Sequence, residues 1–459
     1  MRPHAHVVLL AALLAGCPLA RPPEQPAVLE QALPKGTTVP PAWNAPASPE
    51  AVRGDWVKSF GDPGLEAVVA EAIASNPDLR RAAASVEIAR QTVVVVGARL
   101  WPQIGARIGA ARTRDVGEDE ANSNMEYVGL AWELDVWGRI RAQRAAAKES
   151  YEATALDYAF ARQSLAATTA KSWYLAIATH ALVELAQRAV ALYAEQLDLV
   201  RVRQAAGRVA EFDVVQAKAS LAAAESELRA VQADSSAARR ALELLLGRYP
   251  AGDIALRAGF VPAPPPVAAG LPSALLERRP DVAAAERRVL AAFRLHEAAK
   301  LALLPSFAIT VEGGRLSDKI LDLLQLNPTI LHAAIGMEIP IYQGGALLAR
   351  VKIATAEQEA AVAAYASAAL AAFAEVENAL TNQVTLAERI QYDRQALDDR
   401  IASVKIVRTR YTAGASDMLT VIILESEALA AERNVIELQN AQLANRIDLH
   451  LALGGDFGT

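Results

Sequence analysis

The chain has 459 residues, of which 53% are hydrophobic but only 5% aromatic, and a formal net charge of −6. That charge leaves no basic footprint for a nucleic acid, and a lone cysteine excludes an internal disulfide or a thiolate metal cluster. Alanine dominates the apolar content, which suits long helices packed side by side, since alanine has the highest helix propensity and takes little room.

In chain order, the first feature is Met1-Arg2 followed by an apolar run from Val7 to Ala15. This resembles a secretory signal peptide, and the run is too short to cross a bilayer. Leu14-Ala15-Gly16-Cys17 resembles the bacterial lipoprotein processing box. The expected arrangement is a signal peptide over residues 1–16, lipid on Cys17, and an anchor and extended linker over 17–61. Pro18 after the cysteine, where aspartate would retain a lipoprotein at the inner membrane, permits sorting to the outer membrane. No cofactor is expected beyond this covalent lipid. No later run of 18 uncharged apolar residues occurs, so helical spans are not expected in the mature chain.

The rest of the chain is duplicated. Pro77-Asp78-Leu79 matches Pro280-Asp281-Val282, and Pro102 matches Pro305, each 203 positions on. Gly138, Gly207 and Gly247 match Gly345, Gly414 and Gly454 at an offset of 207. The expected organisation is a first repeat over 62–248, a Pro-rich linker over 249–272 and a second repeat over 273–459. In each repeat 68 residues free of Gly and Pro (Arg139 to Ala206, Ala346 to Ala413) precede a glycine, and 39 more follow it. Rich in Ala, Leu, Glu, Gln and Arg, these stretches predict long antiparallel helical hairpins over 139–246 and 346–453. A 68-residue helix would be about 100 Å long. Gly207 and Gly414 stand where a left-handed residue ends a helix, with Asp213 and Ser416 or Asp417 as N-caps of the return helices.

Between proline and glycine the period changes to two. Ile104, Ala106 and Ile108 alternate with small or polar residues, as do Val128, Leu130, Trp132, Leu134 and Val136. The second repeat does the same with Phe307, Ile309 and Val311, then Ile335, Met337, Ile339 and Ile341. These are two strand pairs, over 103–136 and 306–341, with one greasy and one polar face, and their length suits transmembrane strands. Trp101, Trp132, Trp137 and Tyr342 cluster near strand ends like an interfacial aromatic belt. Four strands cannot close a barrel, and lipid tolerates no open edge, so other copies must complete the sheet.

Several motifs resemble, in order, those of the TolC-like outer-membrane efflux family, specifically its lipoprotein branch serving tripartite multidrug pumps. They are Asn76-Pro77-Asp78-Leu79, Leu100-Trp101-Pro102-Gln103, Trp132 to Arg139, Gly207…Glu211-Phe212-Asp213-Val214, Arg278 to Val282, Pro340 to Gly345 and Arg410 to Gly414. The resemblance implies a mixed α/β membrane protein: a homotrimer with a 12-stranded outer-membrane β-barrel continued by a 12-helix periplasmic α-barrel. It implies an outer-membrane exit duct for small molecules, working with a periplasmic adaptor and an inner-membrane pump. The helix after Gly414 forms the constriction in relatives. Leu419 falls on an apolar gate position and Ile423 where relatives commonly carry an aspartate, while Thr420 takes a position that is acidic in some members. The implied gate is therefore mainly hydrophobic, at Leu419 and Ile423, with Phe212, Asp213 and Asp417 around it. Arg203, Gly207, Arg410 and Gly414 are adaptor-contact candidates, although the glycines also serve the turn and the arginines suit a helix C-terminus.

Other readings exist. A type I protein-secretion or metal-efflux channel would share this plan, and a periplasmic coiled-coil or adaptor protein would share the helices. An enzyme is disfavoured: His180, His296, His332 and His450 lack ligand spacing, and no phosphate loop or nucleophile elbow occurs.

Overall fold

The computed structural model describes residues 19–33, 38–47, 50, 54–113, 121–264, 267–317 and 330–455. The expected signal peptide and Cys17 lie outside the described residues, as do residues 114–120 between the first two strands. In chain order the elements are α1 (Gln25–Ala32), α2 (Pro63–Ser75), α3 (Pro77–Ala98), β1 (Gln103–Thr113), β2 (Ala121–Leu134), α4 (Arg139–Ala205) and α5 (Glu211–Leu245). There follow α6 (Pro272–Arg278), α7 (Pro280–Leu301), β3 (Ser306–Ser317), β4 (Ile330–Glu338), α8 (Ala346–Thr412) and α9 (Met418–Ala452). They fall into two compact units, one within residues 1–37, 84–157 and 281–368, the other within 38–83, 158–280 and 369–459.

The first unit carries the sheet. Its order is β1-β2-β3-β4, antiparallel throughout, so β1 and β4 are its edges. Register puts Ile104, Leu130, Val311 and Ala333 in one row, with Trp132, Ile309 and Ile335 in another on the same face. Gly105, Gly129, Glu312 and His332 form a row on the opposite face. Ile104, Ile108, Leu331 and Ile335 are each at least 74% exposed, so the greasy face has no cover among the described residues. Glu126 and Arg315 face each other in register towards one end of that face. The indole N–H of Trp132 donates to the Leu100 carbonyl at 3.0 Å and that of Trp137 to the Pro305 carbonyl at 2.7 Å. Trp101 and Tyr342 are largely exposed.

The second unit holds a core of Trp56, Phe60, Leu65, Val68, Val69, Trp173, Tyr174, Ile177, Leu242, Leu246 and Ile447. α2 forms because Asp62 caps it, accepting from Gly64 and Leu65 N–H, while Pro63 presets the first turn. Its apolar residues Leu65, Val68, Val69 and Ala72 recur at helical spacing and are all buried. Asp62 also accepts the Trp173 indole N–H at 3.0 Å.

One expectation needs correction here. The stretch over 17–61 is not wholly extended: α1 begins at Gln25 with Pro26 in its first turn, and Val28 is buried at 1% exposure, the tertiary contact that fixes a helix this short. A 3-10 turn at Lys58–Phe60 follows. α4 and α8 each contain an 18-residue window of mean hydropathy 1.3 with few charges, which passes for a bilayer span by length and composition only and leaves the expectation of no helical span standing. Alanine is the commonest residue in both helices and reaches that hydropathy without the bulk typical of a membrane span.

Candidate functional site at the hairpin tips

Each hairpin turns at a glycine. α4 closes with Gly207 at φ 69°, its N–H bonding the Gln204 carbonyl and the Arg208 N–H the Arg203 carbonyl. α8 closes identically: Gly414 sits at φ 76°, with Gly414 N–H to Tyr411 and Ala415 N–H to Arg410. This paired pattern satisfies the orphan carbonyls of a helix end and needs a residue tolerant of positive φ. A Cβ at either glycine would meet nothing within 4 Å, so the demand there is conformational only.

The return helices start differently. Asp417 is the N-cap of α9, its Oδ1 accepting the Thr420 N–H at 2.6 Å, which holds the carboxyl below its usual range. The N-cap expected at Asp213 lies instead at Ala210. Asp213 sits three residues into the first turn of α5 and reaches back to accept the Ala210 N–H at 3.1 Å. With Glu211 already helical, the cap lies three residues earlier than expected, and a side chain at the third helical position can still satisfy the cap N–H.

Phe212 is 63% exposed on α5, and Leu419 and Ile423 are 40% and 47% exposed one turn apart on α9. Their neighbours Val214, Ala217, Met418, Val421 and Ile422 are buried with Val200, Tyr193, Val407 and Tyr411. Each return helix thus buries one face and offers an apolar second face outward. Thr420 is half-buried.

Arg203 and Arg410 occupy equivalent positions but behave differently. The Arg203 guanidinium lies 4.0 Å from the centroid of the Tyr411 ring, and Nη1 donates to the Tyr411 carbonyl at 3.4 Å. Arg410 is exposed. Burial pushes the Tyr411 hydroxyl above its ordinary value, and the Arg203 charge opposes this. Below the tip, Glu425 is 2% exposed and accepts from Arg408 Nε at 2.5 Å. Burial raises its carboxyl, with Arg408 pulling the other way, and burial followed by the Glu425 charge raises the Tyr193 hydroxyl. Sequence reasoning does not single out Glu425 and Arg408, and it touches Tyr411 only as part of the Arg410 to Gly414 motif. The available signal was Glu425, an acid four residues after Val421 on an otherwise apolar helical stripe.

Comparison with known proteins decides the family. A family model described as "Outer membrane efflux protein" matches residues 68–248 and 271–455. The chain belongs to the outer membrane efflux protein family. This efflux protein is 30% identical, over 99% of its own length and 97% of the relative's, to the pyoverdine export outer membrane protein OpmQ of Pseudomonas putida. It is 27% identical over its whole length and 98% of the relative's to the toluene efflux pump outer membrane protein TtgF of the same species. Among solved structures, the outer-membrane channel OprN superposes with a TM-score of 0.82 at 26% identity, covering 97% of this chain and 99% of that one. The open state of the Neisseria gonorrhoeae MtrE outer membrane channel gives 0.81 at 26% identity, covering 96% and 99%. The efflux protein is therefore a transport component of the outer membrane, with the mixed α/β, helix-dominated fold of these channels.

Proposed function

We propose that this efflux protein is the passive exit duct of a tripartite system carrying small molecules out of a Gram-negative cell. Three copies, four strands each, close a twelve-stranded barrel, and α4, α5, α8 and α9 of each copy continue it as a twelve-helix periplasmic tunnel. The observation that carries this reading is the sheet itself. Its edges β1 and β4 are unpaired among the described residues, while Ile104, Ile108, Leu331 and Ile335 project from one face. In lipid an open edge costs several kcal/mol per unsatisfied group, so neighbouring copies supply the partners. The repeats at 62–248 and 273–459, joined by 249–272, give each copy two equivalent hairpins, and the two separately matched segments support that division. Lipid on Cys17 tethers the chain to the outer membrane.

At the tip, Leu419 and Ile423 narrow the tunnel and close it by dewetting. Arg410, Gly207, Gly414 and the Arg203–Tyr411 pair form the face met by a periplasmic adaptor, which links the duct to an inner-membrane pump. Mass measurement of the protein extracted in mild detergent tests the assembly. A trimer is expected, and a monomer that stays soluble in plain buffer refutes the reading. Restored drug export when the chain is returned to a strain lacking its efflux duct tests the transport role.

A further inference from the structure

Helix α9 buries two bases one turn apart. Arg446 is 8% exposed and His450 5%. Arg446 Nη2 donates to the Pro264 carbonyl at 3.0 Å, whereas Nη1 has no acceptor, and neither ring nitrogen of His450 has one. Among the described residues no carboxylate pairs with either side chain. A buried guanidinium without a counter-charge is expensive, since the desolvation of the cation is repaid only by an anion close by. Burial correspondingly lowers the Arg446 pKa, and burial together with the Arg446 charge lowers that of His450.

Arg446 lines a cleft of about 390 Å³ between the Pro-rich segment, α8 and α9. The cleft has two kinds of wall. Gln383, Gln442 and Asn445 are neutral amides, and Pro264, Val384 and Ala387 are apolar. Glu388, exposed, also lines it and makes no ion pair with Arg446. One cation with neutral amides matches a single negative charge, and a planar carboxylate suits the guanidinium fork better than a dianion that would want a second base.

We propose that this cleft is a ligand site in which Arg446 holds the carboxylate of a small monocarboxylic acid and the Pro264–Val384 wall takes its apolar tail. The site goes beyond the duct reading and stands apart from it, since it is built within one copy and away from the tip.

The test is calorimetric titration of the intact detergent-extracted protein with butyrate, and in parallel with butyramide, the uncharged analogue, and inorganic phosphate. Saturable binding of butyrate, with butyramide and phosphate at least about tenfold weaker, is expected. Arg446→Lys keeps the charge but loses the fork, and should weaken butyrate about tenfold while the protein still assembles. Should Arg446→Lys not fold, Val384→Glu, which places a like charge in the cleft, should abolish butyrate binding. Equal binding of butyrate and butyramide, or no butyrate binding at all, overturns the proposal. So does butyrate binding that appears only in Glu388→Gln, which would make Glu388 the native counter-ion.

Discussion

Asn76 and Arg279 hold equivalent places in the two repeats, and each donates to the last-turn carbonyl of its own return helix. Asn76 Nδ2 reaches the Leu245 carbonyl at 3.0 Å, and Arg279 Nη1 reaches that of Ala452 at 3.2 Å. Different side chains thus play one role, satisfying an orphan carbonyl where a long hairpin returns to the body of its unit. Asn76 also caps α3, its Oδ1 accepting from Asp78 and Leu79 N–H. Arg279, 3% exposed, adds an ion pair to Glu375 at 2.5 Å.

Asn76→Ala should therefore destabilise the fold by about 2 kcal/mol, from the lost cap and the stranded carbonyl. Asn76→Ser, which keeps a cap but not the reach to Leu245, should recover part of that. Urea unfolding followed by circular dichroism reads the difference, and equal losses in both variants would show that the cap contributes nothing beyond the Leu245 bond.

The four hairpin glycines divide into two classes. Gly247 and Gly454 have φ 69° and 67°, and a Cβ there would stand 2.9 Å from the Ser75 carbonyl oxygen and 3.0 Å from that of Arg278. Gly207 and Gly414 have similar φ with open space around them. Alanine at the tips should cost about 1 kcal/mol, the penalty of a left-handed residue with a Cβ. Alanine at Gly247 or Gly454 should cost more, because backbone must move as well. Thermal unfolding of the four variants checks the order, and a tip variant as damaging as Gly247→Ala contradicts it.

Acid should weaken the fold through His450. Its ring stacks on Trp56 with centroids 5.6 Å apart. Burial first, then the Arg446 charge, pushes its pKa down to about 4 from an ordinary 6.5. The unfolded chain takes a proton below about pH 6.5 that the folded chain refuses until about pH 4, so stability falls as pH drops through that window. The loss amounts to about 3 kcal/mol by pH 4. His450→Phe should flatten this segment of the stability–pH curve. The raised Glu425 carboxyl acts in the opposite sense, binding its proton earlier in the folded state, and Glu425→Gln removes that contribution separately.

At the proposed gate, Leu419→Ala and Ile423→Ala should raise the leak conductance of the closed channel, since smaller apolar side chains widen a dewetted constriction. Single-channel recording in planar bilayers measures it. An unchanged closed-state leak in both variants would remove these residues from the gate.

Local rules carried much of the fold. Glycines at 138, 207, 345 and 414 bound helices running Arg139–Ala205 and Ala346–Thr412 because a helix ends where a left-handed residue is cheapest. Period-two alternation after Pro102 and Pro305 marked β1 to β4 because side chains in a strand alternate between faces. The cap of α9 was legible to within one residue, as Ser416 or Asp417, whereas Asp213 reads locally as the cap of α5 and is not, since nothing local distinguishes an acid at the cap from one reaching back to it.

Short-range backbone preferences and residue periodicity fix the duplicated order of helices and strands. Tertiary structure alone decided which charges meet. Arg203 finds Tyr411 across 208 residues, Glu425 finds Arg408 between antiparallel helices, and Arg446 and His450 are buried with no carboxylate bonded to them among the described residues. Those outcomes depend on how faces of separate helices rotate against one another, and that packing is fixed by contacts far apart in the chain rather than by any residue's own neighbours.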